Sequence, residues 1–183
     1  MTAAVRPWAR EVLRTWFHEF DSSDWYGGGE SIDRLLRDRF EPLLPVLGQR
    51  PATDFGGDRN TALAAIILFD QFTRNIHRGS AQTFAYDPLA RAITRHVIGR
   101  GWLPLYNRRE RQFVLMPLMH SEEIGDQRLS LDLFAEHAPN ALPFARSHWR
   151  MVARFGRFPH RNRSLGRKTT EAEQRAIDAG FSW

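Results

Sequence analysis

The sequence predicts an all-α protein of about eight helices packed as antiparallel hairpins. Three observations carry this. β signals are nearly absent: no stretch alternates apolar and polar residues for long, and no Asn-Gly or Asp-Gly pair sits between two such stretches. Helix punctuation recurs instead, as capping residues, first-turn prolines and closing glycines. The segments between these signals have ordinary helix lengths and mostly short connections.

The elements follow in order. Pro7, a good first-turn residue, opens a helix carrying Trp8, Val12, Leu13, Trp16, Phe17 and Phe20 on one side. Residues 21–29 read as a loop. Glu30 or Ser31 starts a second helix with Ile32, Leu35, Leu36 and Phe40 apolar, which Pro42 and Pro45 end or kink. A loop rich in Gly and Pro covers 49–58. Asp58 or Asn60 caps a segment, 61–72, that is apolar nearly all round and is expected to be the buried central helix. Asp87-Pro88 opens a helix that Gly99 and Gly101 close, and Asn107 caps the next one, which Pro117 interrupts. Residues 122–137 and 141–155 form two further helices, the second ending at Gly156. An irregular stretch covers 157–168. Thr170 with Glu173 makes a capping box for a short last helix that stops at Gly180. Short helices with short connections pack as antiparallel hairpins. A stack of hairpins is a tetratricopeptide-like array. A closed bundle is the alternative.

The bulk numbers set limits. At 183 residues, of which 42% are hydrophobic, residues 1–183 read as one helical domain with its own core. The absence of cysteine excludes disulfides, thiolate nucleophiles, Fe–S clusters and Cys-based zinc sites. Residues 1–14 hold Arg6, Arg10, Glu11 and Arg14 and no apolar run of a secretory signal. The longest uncharged apolar run, 61–69, is of core-helix length. A cytoplasmic protein with no membrane span is therefore expected. The net charge is +5, and Lys168 is the single lysine. Arginine forks hold carboxylates and phosphates better than lysine does.

Strong hydrogen-bonding groups gather in three stretches. In the first, residues 70–75, Asp70 and Arg74 share a helix face. They read either as a helix-end ion pair or, with Gln71 and Asn75, as a pocket lining. In the second, His120 precedes Ser121, Glu122 and Glu123. A helix cap is the simpler reading than a metal site, because no His-Glu-x-x-His spacing is present. The third is residues 157–168. It lies in a window, 137–170, that holds seven Arg and one Lys but no Asp or Glu. Arg146, Arg150 and Arg154 form an i, i+4, i+8 stripe. They either neutralise the acids of the preceding helix (Glu122, Glu123, Asp126, Asp132, Glu136) or leave an anion site around Arg157, Arg161 and Arg167.

These stretches also carry a resemblance. Residues 68–76 with Arg78, Gly79 and Asp87, then His120-Ser121-Glu122, then residues 155–162 with Leu165-Gly166-Arg167, are similar in order and spacing to motifs of a bacterial family catalogued as domain of unknown function 924. Trp16-Phe17 and Trp183 resemble its ends. Thr73 departs from it, standing where Pro is the more usual residue. The resemblance implies an all-helical, tetratricopeptide-like right-handed array and no established reaction.

The functional expectation is a protein that binds or acts on a small anionic ligand. His120, His160 and Asp70 are the candidate proton-moving residues. Arg74, Asn75, Glu122, Arg157, Arg161 and Asn162 are the candidate ligand-binding residues. No cofactor or metal is called for. The alternative is a tetratricopeptide-like protein-interaction module without catalysis, anchored by Trp25, Tyr26, Trp102 and Tyr106. Nucleic-acid binding through the basic window ranks below both, because the nearby acids would cancel much of its field. An Arg–carboxylate network with no ligand is the purely structural outcome.

Overall fold

The computed structural model describes residues 6–181. The first five residues and Trp183, used above, lie outside them. Among the described residues there is no strand, and the helices run in the order α1 (Pro7–Arg14), α2 (Ser22–Gly27), α3 (Glu30–Phe40), α4 (Leu43–Leu47), α5 (Arg59–Ile66), α6 (Thr73–Ile76), α7 (Asp87–Gly99), α8 (Arg108–Met119), α9 (Ile124–His137), α10 (Leu142–Phe155) and α11 (Glu171–Asp178). A π-helical turn, Ile67–Phe72, joins α5 to α6, so these two form one rod. The number of rods therefore exceeds the expected eight, the short α2 and α4 being the additions.

The caps do much of the local work. Asp58 accepts from Thr61 N at 2.9 Å and so opens α5. Asn107 and Glu110 cap α8 reciprocally, and Thr170 and Glu173 do the same for α11. Gly156, at φ +69°, closes α10 in the left-handed conformation that suits glycine. The expected loop at 21–29 is instead α2, started by a reciprocal box between Asp21 and Asp24. Asp at both positions of a Ser- and Gly-rich stretch hides the cap among turn residues.

The rod α5–α6 is the centre of the core. From Thr61 to Asp70 every side chain is buried. Trp16 packs against Phe72 and Phe113 at ring-centroid distances of 5.5 and 5.4 Å, tying α1 and α8 to the rod. Pro117 does not interrupt α8. A proline in a helix costs about 3 kcal/mol. Burial of a large apolar side chain returns roughly 1.5–3 kcal/mol, and Phe113, Val114, Leu115, Met116, Leu118 and Met119 are all buried around it. A second, smaller apolar cluster joins Met151 and Val152 of α10 to Phe158 and to Ala176 of α11.

The expected neutralisation of the α10 stripe by α9 is not found. Arg146, Arg150 and Arg154 are exposed, and no ion pair joins them to α9 among the described residues. Asp126 of α9 turns instead to Arg91 and Arg95 of α7. The stripe faces away because the apolar positions of α10, Ala145, Met151 and Val152, claim the inward side.

Candidate functional site

The site is built where the central rod widens. The π turn places one extra residue in the helix. Asp70, within that turn, has a fully buried side chain. Thr73, the departure from proline, sends its hydroxyl back to Phe69 O at 2.9 Å, and the rod continues to Ile76.

His120 sits just past the end of α8, fifty residues from Asp70 in sequence. Its Nδ1 lies 2.9 and 3.0 Å from the two oxygens of that carboxylate. Gln71 Nε2 donates to the same group. Arg74 approaches Asp70 Oδ1 at 3.2 Å and also donates to the Asp70 carbonyl. Burial pushes the Asp70 carboxyl up, but Arg74 and then His120 outweigh this and hold it below the usual carboxylate range. Burial pushes the His120 imidazole down, against the pull of Asp70. The pair is therefore a carboxylate and a neutral imidazole. Nδ1 carries the proton, given to Asp70, and Nε2 keeps the lone pair. The His120 side chain is 13% exposed, so this edge of the pair reaches water.

A second carboxylate, Asp87, stands at the start of α7. Arg74 reaches it with two nitrogens at 3.2 and 3.3 Å, and Arg161 Nη1 lies 3.5 Å away. Burial pushes Asp87 up. The two acids of one network are thus driven apart, which separates a fixed carboxylate from a group able to carry a proton. Arg161 is buried between the rings of Phe84 and Phe158, with its guanidinium carbon 4.5 Å from each centroid. It donates to His120 O at 2.9 Å, while its Nε has no partner among the described residues. Burial lowers its pKa to about 10.

Two more imidazoles adjoin. His148 of α10 gives Nδ1–H to Phe144 O at 2.9 Å, and its ring centroid is 5.7 Å from that of His120. His148 also packs on Phe158 at 5.5 Å, and His160 packs on the same ring at 5.7 Å. Burial brings His148 to about 3 and His160 to about 4, helped by neighbouring positive groups.

Of the residues singled out from sequence, the fold brings together Asp70, Arg74, His120 and Arg161, with His160 beyond Phe158. The others go elsewhere. Asn75 donates to Asp33 at 2.9 Å, in a cluster completed by Arg78. Arg157 pairs with Glu173 at 2.6 Å and caps the Lys168 carbonyl. Asn162 turns to Thr169. Glu122 holds Arg167 at 2.7 Å and accepts from Phe158 N at 2.8 Å, fastening residues 158–167 to the start of α9. Sequence reasoning missed Asp87 as a site residue, because Asp before Pro reads as a cap. It missed His148 as well, whose one signal is a histidine within the apolar stripe of α10. Among the described residues no three His, Asp or Glu side chains converge as metal ligands.

Two clefts open elsewhere. One of about 510 Å³ lies between Arg91, Arg95, Glu123 and Asp126. The other, of about 680 Å³, lies between α3–α4 and residues 77–86. Neither takes in Asp70 or His120. Of the four aromatic anchors expected for a protein partner, Tyr106 is buried and bonds Arg59 O, Trp25 stacks on Trp16, Trp102 is half-buried, and Tyr26 is 62% exposed.

With this geometry in hand, comparison with known proteins adds kinship. A model of a bacterial protein family of unknown function, DUF924, matches residues 12–180. The chain belongs to this family. It is also similar to a solved structure of a protein of unknown function from Agrobacterium tumefaciens. The two are 32% identical, the match covers 94% of this chain and 97% of the other, and the TM-score is 0.87. No curated protein matches. The DUF924 motifs seen in the sequence are the segments that meet around Asp70: the central rod, the His120 turn and the 155–167 segment. No helix among the described residues is long and apolar enough to cross a membrane.

Proposed function

We propose that this DUF924 protein binds a small anionic ligand against Arg161, and that the Asp70–His120 pair moves a proton on it. One observation carries the reading. A buried carboxylate fixes the tautomer of a histidine whose water-facing edge adjoins a guanidinium with no carboxylate of its own. Asp70 accepts Nδ1–H, so His120 Nε2 is the basic nitrogen that takes a proton from a bound molecule. Asp87 is shared with Arg74 and leaves Arg161 undercompensated. A carboxylate or phosphate would relieve that deficit with charge-assisted hydrogen bonds.

The antiparallel succession of α8, α9 and α10, each packed on the next, supports a tetratricopeptide-like arrangement of hairpins. The interaction-module reading has Tyr26 in its favour as one exposed aromatic.

The test uses two substitutions. Arg161→Met keeps an unbranched chain between the two rings, and replacing a buried charge by an apolar group of similar size is often neutral for stability. Millimolar screens of small carboxylates and phosphates are expected to raise the melting temperature of the natural protein but not of Arg161→Met. His120→Gln is expected to keep that rise and lose turnover of the ligand so identified. If no anion shifts the natural protein, or Arg161→Met shifts equally, the reading fails.

A further inference from the structure

We propose that the outward face of α10 docks on the phosphate backbone of a nucleic acid, without reading its sequence. This face lies apart from the Asp70–His120 site and does not depend on it.

The charge of the chain is unevenly placed. Residues 137–170 hold eight basic side chains and no acid, while the rest of the chain holds more acids than bases. The fold then divides those eight. Arg157, Arg161 and Arg167 are matched to Glu173, Asp87 and Glu122. Arg146, Arg150, Arg154, Arg163 and Lys168 are exposed, or nearly so, and take no carboxylate partner among the described residues. The acids of α9 that a reading of the sequence sets against the stripe are occupied elsewhere, Asp126 by α7 and Glu122 by Arg167. The field of the stripe is therefore not cancelled at contact range.

The geometry favours a regular polyanion. Arg146, Arg150 and Arg154 repeat every four residues, which spaces them about 6 Å apart along the helix axis. Planar guanidinium forks suit phosphate oxygens. A protein partner of acidic character fits less well. Protein interfaces centre on a buried aromatic or aliphatic anchor, and the side chain between the arginines on this face is Ala153, with the exposed Phe144 set at the far end of the helix. Interfaces with nucleic acid are more polar and much more positive. A basic stripe along one helix in a chain of pI about 10.6 has that footprint.

The experiment measures fluorescence anisotropy of a labelled duplex of about 20 base pairs with the full chain, at several salt concentrations. Three phosphate contacts predict a slope of log K against log salt near −2.7, and so an affinity loss of roughly 40-fold between 50 and 200 mM salt. The triple variant Arg146→Gln/Arg150→Gln/Arg154→Gln is expected to keep its melting temperature, because its side chains have no partners to lose. Its affinity is expected to drop at least tenfold and its slope to flatten toward zero. Duplexes of unrelated sequence are expected to bind alike. No binding at 50 mM salt overturns the proposal, as does a folded triple variant that binds like the natural protein. Competition by poly-glutamate as effective as by unlabelled duplex would assign the face to an acidic polypeptide and overturn the choice of nucleic acid.

Discussion

Arg161 and Arg150 lie eleven residues apart in one basic window, and their fates are opposite. Arg150 stands in water on a regular helix with no partner. Arg161 is buried between two aromatic rings, bonded to a backbone carbonyl and close to a shared carboxylate. The same contrast separates the whole α10 stripe from Arg157, Arg161 and Arg167. Charge counting treats the two groups alike. What divides them is the backbone. On α10 the apolar stripe decides which residues face out. In the irregular 157–168 segment, backbone and side chains must find partners from other parts of the chain, or pay for burial without them. Those partners are Glu122, Glu173, Asp87 and the His120 carbonyl, fourteen or more residues away.

The sharpest way to break this contrast is to remove the centre of the buried network. Asp70→Ala strands Arg74 and His120, and unpairing a buried charge costs about 3–5 kcal/mol. Denaturant unfolding is expected to show a loss of that size, and a loss under 1 kcal/mol would mean that the network is not holding the fold.

Acid reaches the same region by another route. The unfolded chain takes up protons on histidine below about pH 6.5, whereas burial keeps folded His148 and His160 neutral down to about 3 and 4. Their folded values are lowered. Stability is therefore full above about pH 6.5 and is lost as pH falls toward 4. The slope reaches about 1.4 kcal/mol per pH unit for the buried His148, and less for the half-buried His160. Unfolding followed between pH 6.5 and 5, above the carboxylate range, is expected to show this decline and to show it flattened in His148→Phe.

Arg157→Ala probes the clamp on α11. Its guanidinium, first among the causes, draws the Glu173 carboxyl down to about 2. The lowered value means that Glu173 stabilises above its unfolded pKa near 4.5 and ceases to as pH falls toward 2. The variant is expected to melt about 3–6 °C lower at neutral pH and to lose less than the natural protein between pH 4.5 and 2. At the other end of the scale, Arg150→Gln is expected to change stability by no more than about 0.5 kcal/mol. A larger cost would place Arg150 with the buried group and erase the comparison.

Much of the helical scaffold is legible before folding. Asp58, Asn107, Thr170 with Glu173, and Gly156 all act at the helix ends where they were read, because a cap bonds backbone groups within three residues of itself. The burial of residues 61–72 follows from their lack of a polar face. The failures are equally specific. Pro117 carries its local meaning, but six buried neighbours outweigh it. Asn75, Arg157 and Asn162 sit in the motifs with His120 and Arg161, yet each is claimed by a nearer structural partner. Asp87 and His148, which the sequence disguises as a cap and a core residue, complete the site instead.

The sequence by itself determined where the helices start, which rod is central and that the arginines of α10 face outward. Each of these follows from hydrogen bonds and hydrophobic periodicity within a few turns of chain. Only the tertiary structure decided that Asp70 meets His120, that Asp87 is shared by two arginines, and that Arg161 lacks a carboxylate of its own. Those outcomes depend on desolvation, and a side chain has no desolvation cost until distant segments close around it.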